Sequence, residues 1–162
     1  MDRPDPPPVS KTRDPLEHGP MESQNPRTGA PAAEWSDEKS ERTRLLLVDD
    51  HQAMRDTLKR LMQGQPNIEV IGEAANGLEA LELAHRLRPE VVIMDISMPV
   101  MDGIEATRRL KTELSGIGVI GLSMYEDELA GIAMRNAGAD RYLNKTASFS
   151  ELLRAIRGIA RG

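Results

Sequence analysis

The sequence predicts an α/β protein built on an open parallel sheet with helices on both faces. Short runs rich in Val, Ile and Leu alternate with longer segments whose apolar residues recur at helical spacing. Two of the runs, residues 45–48 and 91–94, are apolar throughout, which is typical of strands buried on both faces. Five strands alternating with five helices favour parallel pairing through crossover connections.

The first half of the folded region shows these elements in order. The first strand ends in Asp49 and Asp50, and the helix after it is stopped by Gly64 and Pro66. The apolar face of this helix is formed by Met54, Thr57, Leu58, Leu61 and Met62. Residues 68–74 alternate between apolar and polar side chains, which indicates a strand nearer the edge of the sheet.

Three later helices begin with a capping pattern, in which a short polar residue precedes a glutamate by three positions. The pattern occurs at residues 76–79, 102–105 and 148–151. Pro89 ends the helix that starts at the first of them, and the central strand follows and ends at Asp95. The remaining elements are predicted as a helix to about Leu114, a strand at 119–123, a helix at 126–137 and a strand at 141–143.

The expected architecture is a flavodoxin-like (βα)5 three-layer sandwich with strand order 2-1-3-4-5. In such sheets, ligands bind outside the carboxyl ends of the strands, at the point where the strand order reverses. This order places the strands that end at Asp49, Asp95 and Ser123 beside one another. We therefore expect the polar residues at the strand ends to converge on one edge.

Residues 1–42 differ in composition from the rest of the chain. They contain eight of the eleven prolines and almost no apolar periodicity. Because such a segment buries too little apolar surface to offset the entropy lost on ordering, we expect a disordered tail before a folded domain at 43–162. Trp35 is the one residue of the tail suited to docking on a partner, and a tryptophan in a flexible segment is the simpler interpretation.

The composition also excludes several classes of function. A net charge of −5 gives no basic surface for nucleic acid, and no apolar run is long enough for a membrane span. The absence of cysteine excludes disulfides, thiolate catalysis and cysteine-bound metals. We therefore expect a cytoplasmic protein that binds neither nucleic acid nor membrane through this chain.

Five polar residues at strand ends indicate the chemistry of the site: Asp49, Asp50, Asp95, Ser123 and Lys145. Carboxylates crowded at one point are stabilised by a hard cation, and Mg²⁺ suits such a site because it leaves positions for water and phosphate. The lysine and the serine are donors suited to phosphoryl oxygens. A carboxylate beside Mg²⁺ can attack phosphorus and become an acyl phosphate. The alternative is a set of polar strand ends that face water, which five converging residues of both charge signs disfavour.

Two weaker patterns lie near this predicted site. His51 follows the acidic pair, and a solvated loop histidine is the simpler interpretation than a ligand. The glycines of 116–121 match G-x-G-x-x-G, but they precede and enter a strand, whereas a dinucleotide fingerprint follows a strand and opens a helix.

The chain from Arg44 to about Gly162 resembles the receiver domain of two-component response regulators. The resemblance rests on Leu-Val-Asp-Asp50, Val-Val-Ile-Met-Asp95, Met-Pro-Val-Met-Asp-Gly103, Gly-Leu-Ser123 and Gly-Ala-Asp-Arg-Tyr-Leu-Asn-Lys145. Asp-Asp-His51, Leu-Ser-Met124 and Gly-Ala-Asp140 further resemble the subfamily that precedes helix-turn-helix output domains.

The resemblance implies a role for each site residue. Asp95 would accept a phosphoryl group from a histidine kinase or phosphotransfer protein, and Lys145 would contact its oxygens. Mg²⁺ would be held by Asp49, Asp50, Asp95 and the backbone carbonyl of Ser97. Ser123 would be the switch hydroxyl and Tyr142 the switch aromatic that turns inward behind it.

The resemblance also implies a signalling output rather than turnover. Ser97 and Tyr125 occupy positions that tune water attack on the acyl phosphate, and a bulky Tyr125 would slow the loss of phosphate. At most, self-phosphorylation from small donors and slow autodephosphorylation are expected. Phosphorylation would remodel the face made by the fourth helix, fifth strand and fifth helix, which would bind an effector or a second copy.

Two alternatives remain open. No helix-turn-helix pattern occurs up to Gly162, so the chain is either a stand-alone receiver or the receiver portion of a DNA-binding transcription regulator. The second alternative is a Mg²⁺-dependent phosphatase with an aspartyl nucleophile. That class needs a second aspartate two residues after the first, where this chain has Ser97, and a cap domain for which there is no room.

Overall fold

The computed structural model describes residues 42–162, and the expectations for the Pro-rich tail and Trp35 lie outside these residues. The strands are β1 (Thr43–Val48), β2 (Ile68–Ala74), β3 (Val91–Asp95), β4 (Gly118–Ser123) and β5 (Arg141–Asn144). The helices are α1 (Gln52–Gln63), α2 (Gly77–Leu87), α3 (Gly103–Glu113), α4 (Glu128–Ala137) and α5 (Phe149–Ala160).

The five strands form one parallel sheet in the order β2-β1-β3-β4-β5, which confirms the predicted order. The alternating strand β2 lies at an edge, and β3, which is apolar up to its last residue Asp95, is central. Because β1, β3 and β4 are neighbours, their carboxyl ends lie side by side at the switch point.

Two apolar layers cover the sheet. Alternate β1 and β3 residues, such as Leu46 and Val92, pack with α2, α3 and Met134 of α4 on one face. The intervening residues, such as Leu47 and Ile93, pack with α1 and α5 on the other. The inner strands β1, β3 and β4 are largely buried on both faces, and the result is the expected three-layer sandwich.

The helix starts follow the predicted caps, with one boundary wrong. Ser148 and Glu151 form a complete capping box, whereas Asn76 and Asp102 accept the N3 amide without the reciprocal bond to their own N–H. The fourth helix begins at Glu128 rather than at residue 126, because the Asp127 side chain accepts the amides of the next turn and caps it there.

Within residues 42–162, every helix falls short of the length and apolarity that crossing a bilayer requires. The glycines of 116–121 lie in a loop and in β4, so they do not open a helix as a dinucleotide fingerprint would.

Candidate functional site

Four polar residues lie at the carboxyl ends of neighbouring strands. Asp49 directly follows β1, Asp95 ends β3, Ser123 ends β4 and Lys145 directly follows β5. The side chains of Asp49, Asp95 and Lys145 are 3%, 5% and 4% exposed. The structure therefore brings these predicted site residues into one buried polar cluster.

Lys145 lies between the two buried carboxylates. Its Nζ is 2.7 Å from Asp49 Oδ2 and 3.1 Å from Asp95 Oδ1. Its backbone N–H donates to the carbonyl oxygen of Ser123 at 2.7 Å, which ties the loop after β5 to the end of β4. Burial lowers the pKa of Lys145, but the hydrogen bond and charge of Asp49 and the charge of Asp95 outweigh it, so the pKa is raised.

The two buried carboxylates differ in proton affinity. Burial, together with the negative charge of Asp49, raises the pKa of Asp95 to about 6 despite the nearby ammonium group. Burial also raises the pKa of Asp49, but the hydrogen bonds from Lys145 and from the His51 backbone N–H outweigh it, so its pKa is lowered. Asp49 is therefore the fixed anion of the pair, and Asp95 is the one whose charge responds to its surroundings.

A ligand set for a cation surrounds this pair. Asp49, Asp50, His51 and Asp95 each offer one ligand atom, and these atoms lie within 4.8 Å of one another. Asp50 Oδ1 is buried and has no hydrogen-bond partner, and the nearby His51 Nδ1 lies 3.0 Å from it. Three carboxylates and one ammonium leave an excess of two negative charges, which a divalent cation would balance. Oxygen donors of this kind fit Mg²⁺.

The loop after β3 packs directly on the site. A Cβ at Gly103 would lie 2.0 Å from the backbone oxygen of Asp95, so only glycine allows α3 to start there. The Gly103 N–H donates to the Ile96 carbonyl at 2.8 Å, which fixes the turn. Ser97 lies at the start of this turn, and its side chain is exposed.

The predicted switch residues lie beside the cluster. Ser123 is 9% exposed, and its Oγ accepts the Tyr125 backbone N–H at 3.2 Å. The Tyr125 side chain is exposed, and Tyr142 packs its ring against Gly131 of α4 with its hydroxyl buried and unpartnered. The aromatic residue of β5 is thus turned inward in this structure.

Residues 45–157 match the family model described as the response regulator receiver domain. The chain belongs to the response regulator receiver family.

Individual relatives agree with this assignment. The transcriptional regulatory protein LiaR of Bacillus subtilis is 44% identical over 119 residues, which cover 74% of this chain and 56% of LiaR. The response regulator domain of Thermotoga maritima CheB matches with a TM-score of 0.69 at 35% identity, covering 75% of this chain and 98% of that one. A LuxR-family response regulator from Aurantimonas sp. SI85-9A1 matches with a TM-score of 0.71 at 33% identity, covering 75% and 86%.

The chain spans about half the length of the curated relatives it matches. The part that it shares with them is the receiver domain.

Two residues of this receiver domain contact the candidate site or the predicted switch residue Tyr142, and the sequence did not predict these contacts. Arg55 of α1 donates to the backbone carbonyl of Asp49, and the signal for it was its position in the first turn of the helix that follows the acidic loop. Gly131 of α4 leaves room for the ring of Tyr142, whereas a glycine inside a helical pattern by itself indicates only lower helix stability.

Proposed function

We propose that this receiver domain accepts a phosphoryl group from a phosphohistidine donor on Asp95 and then presents an altered binding surface. The observation that carries this proposal is the burial of Asp95 at the end of the central strand, beside Asp49 and within 3.1 Å of Lys145 Nζ. Buried charges that lie this close together and shift each other's pKa are typical of functional sites.

In the transfer, an oxygen of the Asp95 carboxylate attacks phosphorus and the P–N bond of the donor breaks. The imidazole nitrogen keeps the electron pair of that bond, and Asp95 becomes an acyl phosphate. Lys145, already protonated beside Asp49, donates to the phosphoryl oxygens, and the Ser123 hydroxyl donates to one of them.

The cation of this proposal is Mg²⁺, held by Asp49, Asp50, Asp95 and the backbone carbonyl of Ser97. When bound, it offsets the negative charge that gathers on the carboxylates and phosphoryl oxygens. The unpartnered, buried oxygen of Asp50 and the excess of two negative charges support this role.

The response to phosphorylation involves Ser123 and Tyr142. The Ser123 hydroxyl now accepts a hydrogen bond from the Tyr125 N–H, and this bond breaks when the hydroxyl moves towards the phosphoryl group. The movement therefore couples the site to the segment before α4. The face of α4, β5 and α5 then selects an effector or a second copy. Ser97 and Tyr125 tune the rate at which water removes the phosphoryl group, so turnover is slow and signalling is the output.

The proposed setting is a cytoplasmic signalling pathway with a sensor histidine kinase or phosphotransfer protein as the donor. The receiver spans 43–162, and this chain itself binds neither nucleic acid nor membrane. The similarity to LiaR supports a second candidate, in which this receiver is the regulatory portion of a DNA-binding transcription regulator.

Phosphorylation with acetyl phosphate and Mg²⁺, measured by intact mass, tests the proposal. Wild type is expected to gain the mass of one phosphoryl group, and Asp95→Asn to gain none. Glu82→Gln, which removes a charge from an exposed position on α2, serves as the control and should behave as wild type. No phosphorylated wild-type species with competent donors, or an equal yield in Asp95→Asn, would contradict the assignment.

A further inference from the structure

The side chain of Arg55 lies beneath the acidic loop at residues 49–51 and is 11% exposed. Its Nη1 donates to the backbone carbonyl oxygen of Asp49 at 2.5 Å, and its Nη2 donates to Gln52 Oε1 at 2.5 Å. Its Nε donates to Glu73 Oε1 of β2 at 3.4 Å. One planar guanidinium therefore joins the end of β1, the start of α1 and the edge strand.

The guanidinium is itself held in place from the far side. Lys59, one helical turn further along α1, donates to the other oxygen of Glu73 at 2.9 Å. Glu73 thus pairs with two cations of the same helix. If Glu73 moved with Arg55 towards the loop, it would lose its hydrogen bond from Lys59. Because the guanidinium is rigid and its donors point in fixed directions, this arrangement defines where the Asp49 carbonyl can lie.

The Asp49 carbonyl belongs to the peptide unit that joins Asp49 to Asp50. Its orientation therefore sets the direction in which both carboxylates leave the backbone. The His51 N–H donates to Asp49 Oδ1 at 2.9 Å, so the side chain of Asp49 is tied to the same loop.

We propose that Arg55 is a positioning residue for the divalent-cation site, and this rests on the Mg²⁺ role proposed above. It fixes the peptide between Asp49 and Asp50 so that the carboxylates converge before the cation arrives. Partners of this kind, which orient ligands without touching the metal, commonly change metal affinity by about 10- to 100-fold.

A pure charge effect predicts the opposite sign. A cation near a metal site repels the metal, so removing the charge of Arg55 would tighten Mg²⁺ binding if charge alone mattered. Positioning predicts weaker binding, and the direction of the change therefore separates the two explanations.

The experiment compares Arg55→Met with Lys59→Met in the full chain by titrating MgCl₂ in a calorimeter. Both variants remove one positive charge and one partner of Glu73, but only Arg55→Met removes the donor to the Asp49 carbonyl. We expect the Kd for Mg²⁺ to rise about tenfold in Arg55→Met. In Lys59→Met it should stay within about twofold of wild type.

Amide hydrogen exchange without metal gives a readout that does not depend on Mg²⁺. Arg55→Met should accelerate exchange of the His51 N–H about tenfold, while Lys59→Met leaves it unchanged. Arg55→Lys keeps the charge but lacks the several fixed donors of the guanidinium, so it should resemble Arg55→Met in both measurements. It replaces Arg55→Met in the experiment if that variant does not fold.

Unchanged or tighter Mg²⁺ binding by folded Arg55→Met or Arg55→Lys would overturn the proposal, as would equal weakening in Lys59→Met. If wild type itself bound no Mg²⁺, the proposed role of the cation would be wrong. The exchange data would then show separately whether Arg55 holds the loop.

Discussion

Val100 has a backbone conformation that disfavours its own side chain. Its φ is 70°, in the left-handed region, and 78% of the residue is exposed. A β-branched residue is unfavourable in this conformation by about 1–2 kcal/mol. Because the side chain is exposed, it makes no packing contacts that would offset this cost. The turn after β3, between the candidate site and α3, therefore stores strain at this position.

Val100→Asn is expected to raise the free energy of unfolding by about 1 kcal/mol, because asparagine tolerates this conformation. Urea unfolding of the full chain measures the change. Val100→Thr is the control, since it keeps the branch at Cβ and should show no such gain. Equal stability of the asparagine and threonine variants would mean that the strain is absent in solution.

For single residues, the sequence predicted the surroundings correctly where they follow from the residue's position in a strand. Asp49, Asp95 and Lys145 each end or follow a parallel strand, so their meeting at one edge follows from the strand order. The conformation of Val100 and the contact between Arg55 and a backbone carbonyl depend on the local turn path. No periodicity or composition encodes that path.

Among the elements, α4 is fitted to the side chain of Tyr142. A Cβ at Gly131 would lie 3.1 and 3.2 Å from two ring carbons, and one at Gly121 would lie 3.3 Å from a third. The inward ring thus lies between the two glycines, and its buried hydroxyl has no partner. Glycine at 131 weakens the helix but leaves room for the aromatic residue.

We expect Gly131→Ala to depend on Tyr142 in a double-mutant cycle. With Tyr142→Ala in the background, Gly131→Ala should stabilise the protein by about 1 kcal/mol, the ordinary helix preference for alanine. With tyrosine present, contact with the ring should remove at least about 0.5 kcal/mol of that gain. Urea unfolding of the four proteins gives the coupling.

Gly158→Ala on α5 provides the matched control. The nearest atom to a Cβ there is 3.9 Å away, on Arg141, so the gain from alanine should be the same with and without Tyr142. A coupling near zero between positions 131 and 142 would indicate that the ring does not occupy this slot in solution.

The boundaries of the elements were the less predictable part. Residues 126–128 are all acidic, and each is a reasonable start for a helix by sequence alone. Which of them caps α4 is decided by the loop from β4, which brings the carboxylate of Asp127 within 2.9 Å of the Leu129 amide.

For the whole molecule, the strand order follows from a small set of physical rules. Strands that are apolar throughout must be covered on both faces, and parallel neighbours need helical crossovers. These rules left few arrangements, and the structure has the predicted one. The irregular register between Leu45 and Leu46 against β2 could not be inferred, because it depends on backbone pairing rather than on side-chain pattern.

The site also makes stability depend on pH. The pKa of Asp95 rises from its ordinary 3.8 to about 6 on folding, because burial and Asp49 disfavour its charge. Between about pH 4 and 6 the folded protein therefore binds a proton that the unfolded chain releases, so this group destabilises the fold as pH rises. At about 1.4 kcal/mol per tenfold change in proton affinity, the ionised group destabilises the metal-free fold at pH 7.5 by about 1–3 kcal/mol.

Asp95→Asn should consequently be more stable than wild type in EDTA at pH 7.5, by about 1–3 kcal/mol in urea unfolding. At pH 5 the folded protein is largely protonated at Asp95 while the unfolded chain is still ionised there, so the advantage should fall to about half of its value at pH 7.5. Asp49 has a lowered pKa, so the stability it contributes is lost only as pH falls below its ordinary range, outside this window. Glu82→Gln, with the same change of charge at an exposed site, should keep the pH dependence of wild type. An Asp95→Asn advantage of equal size at both pH values would show that loss of the charge is not its cause.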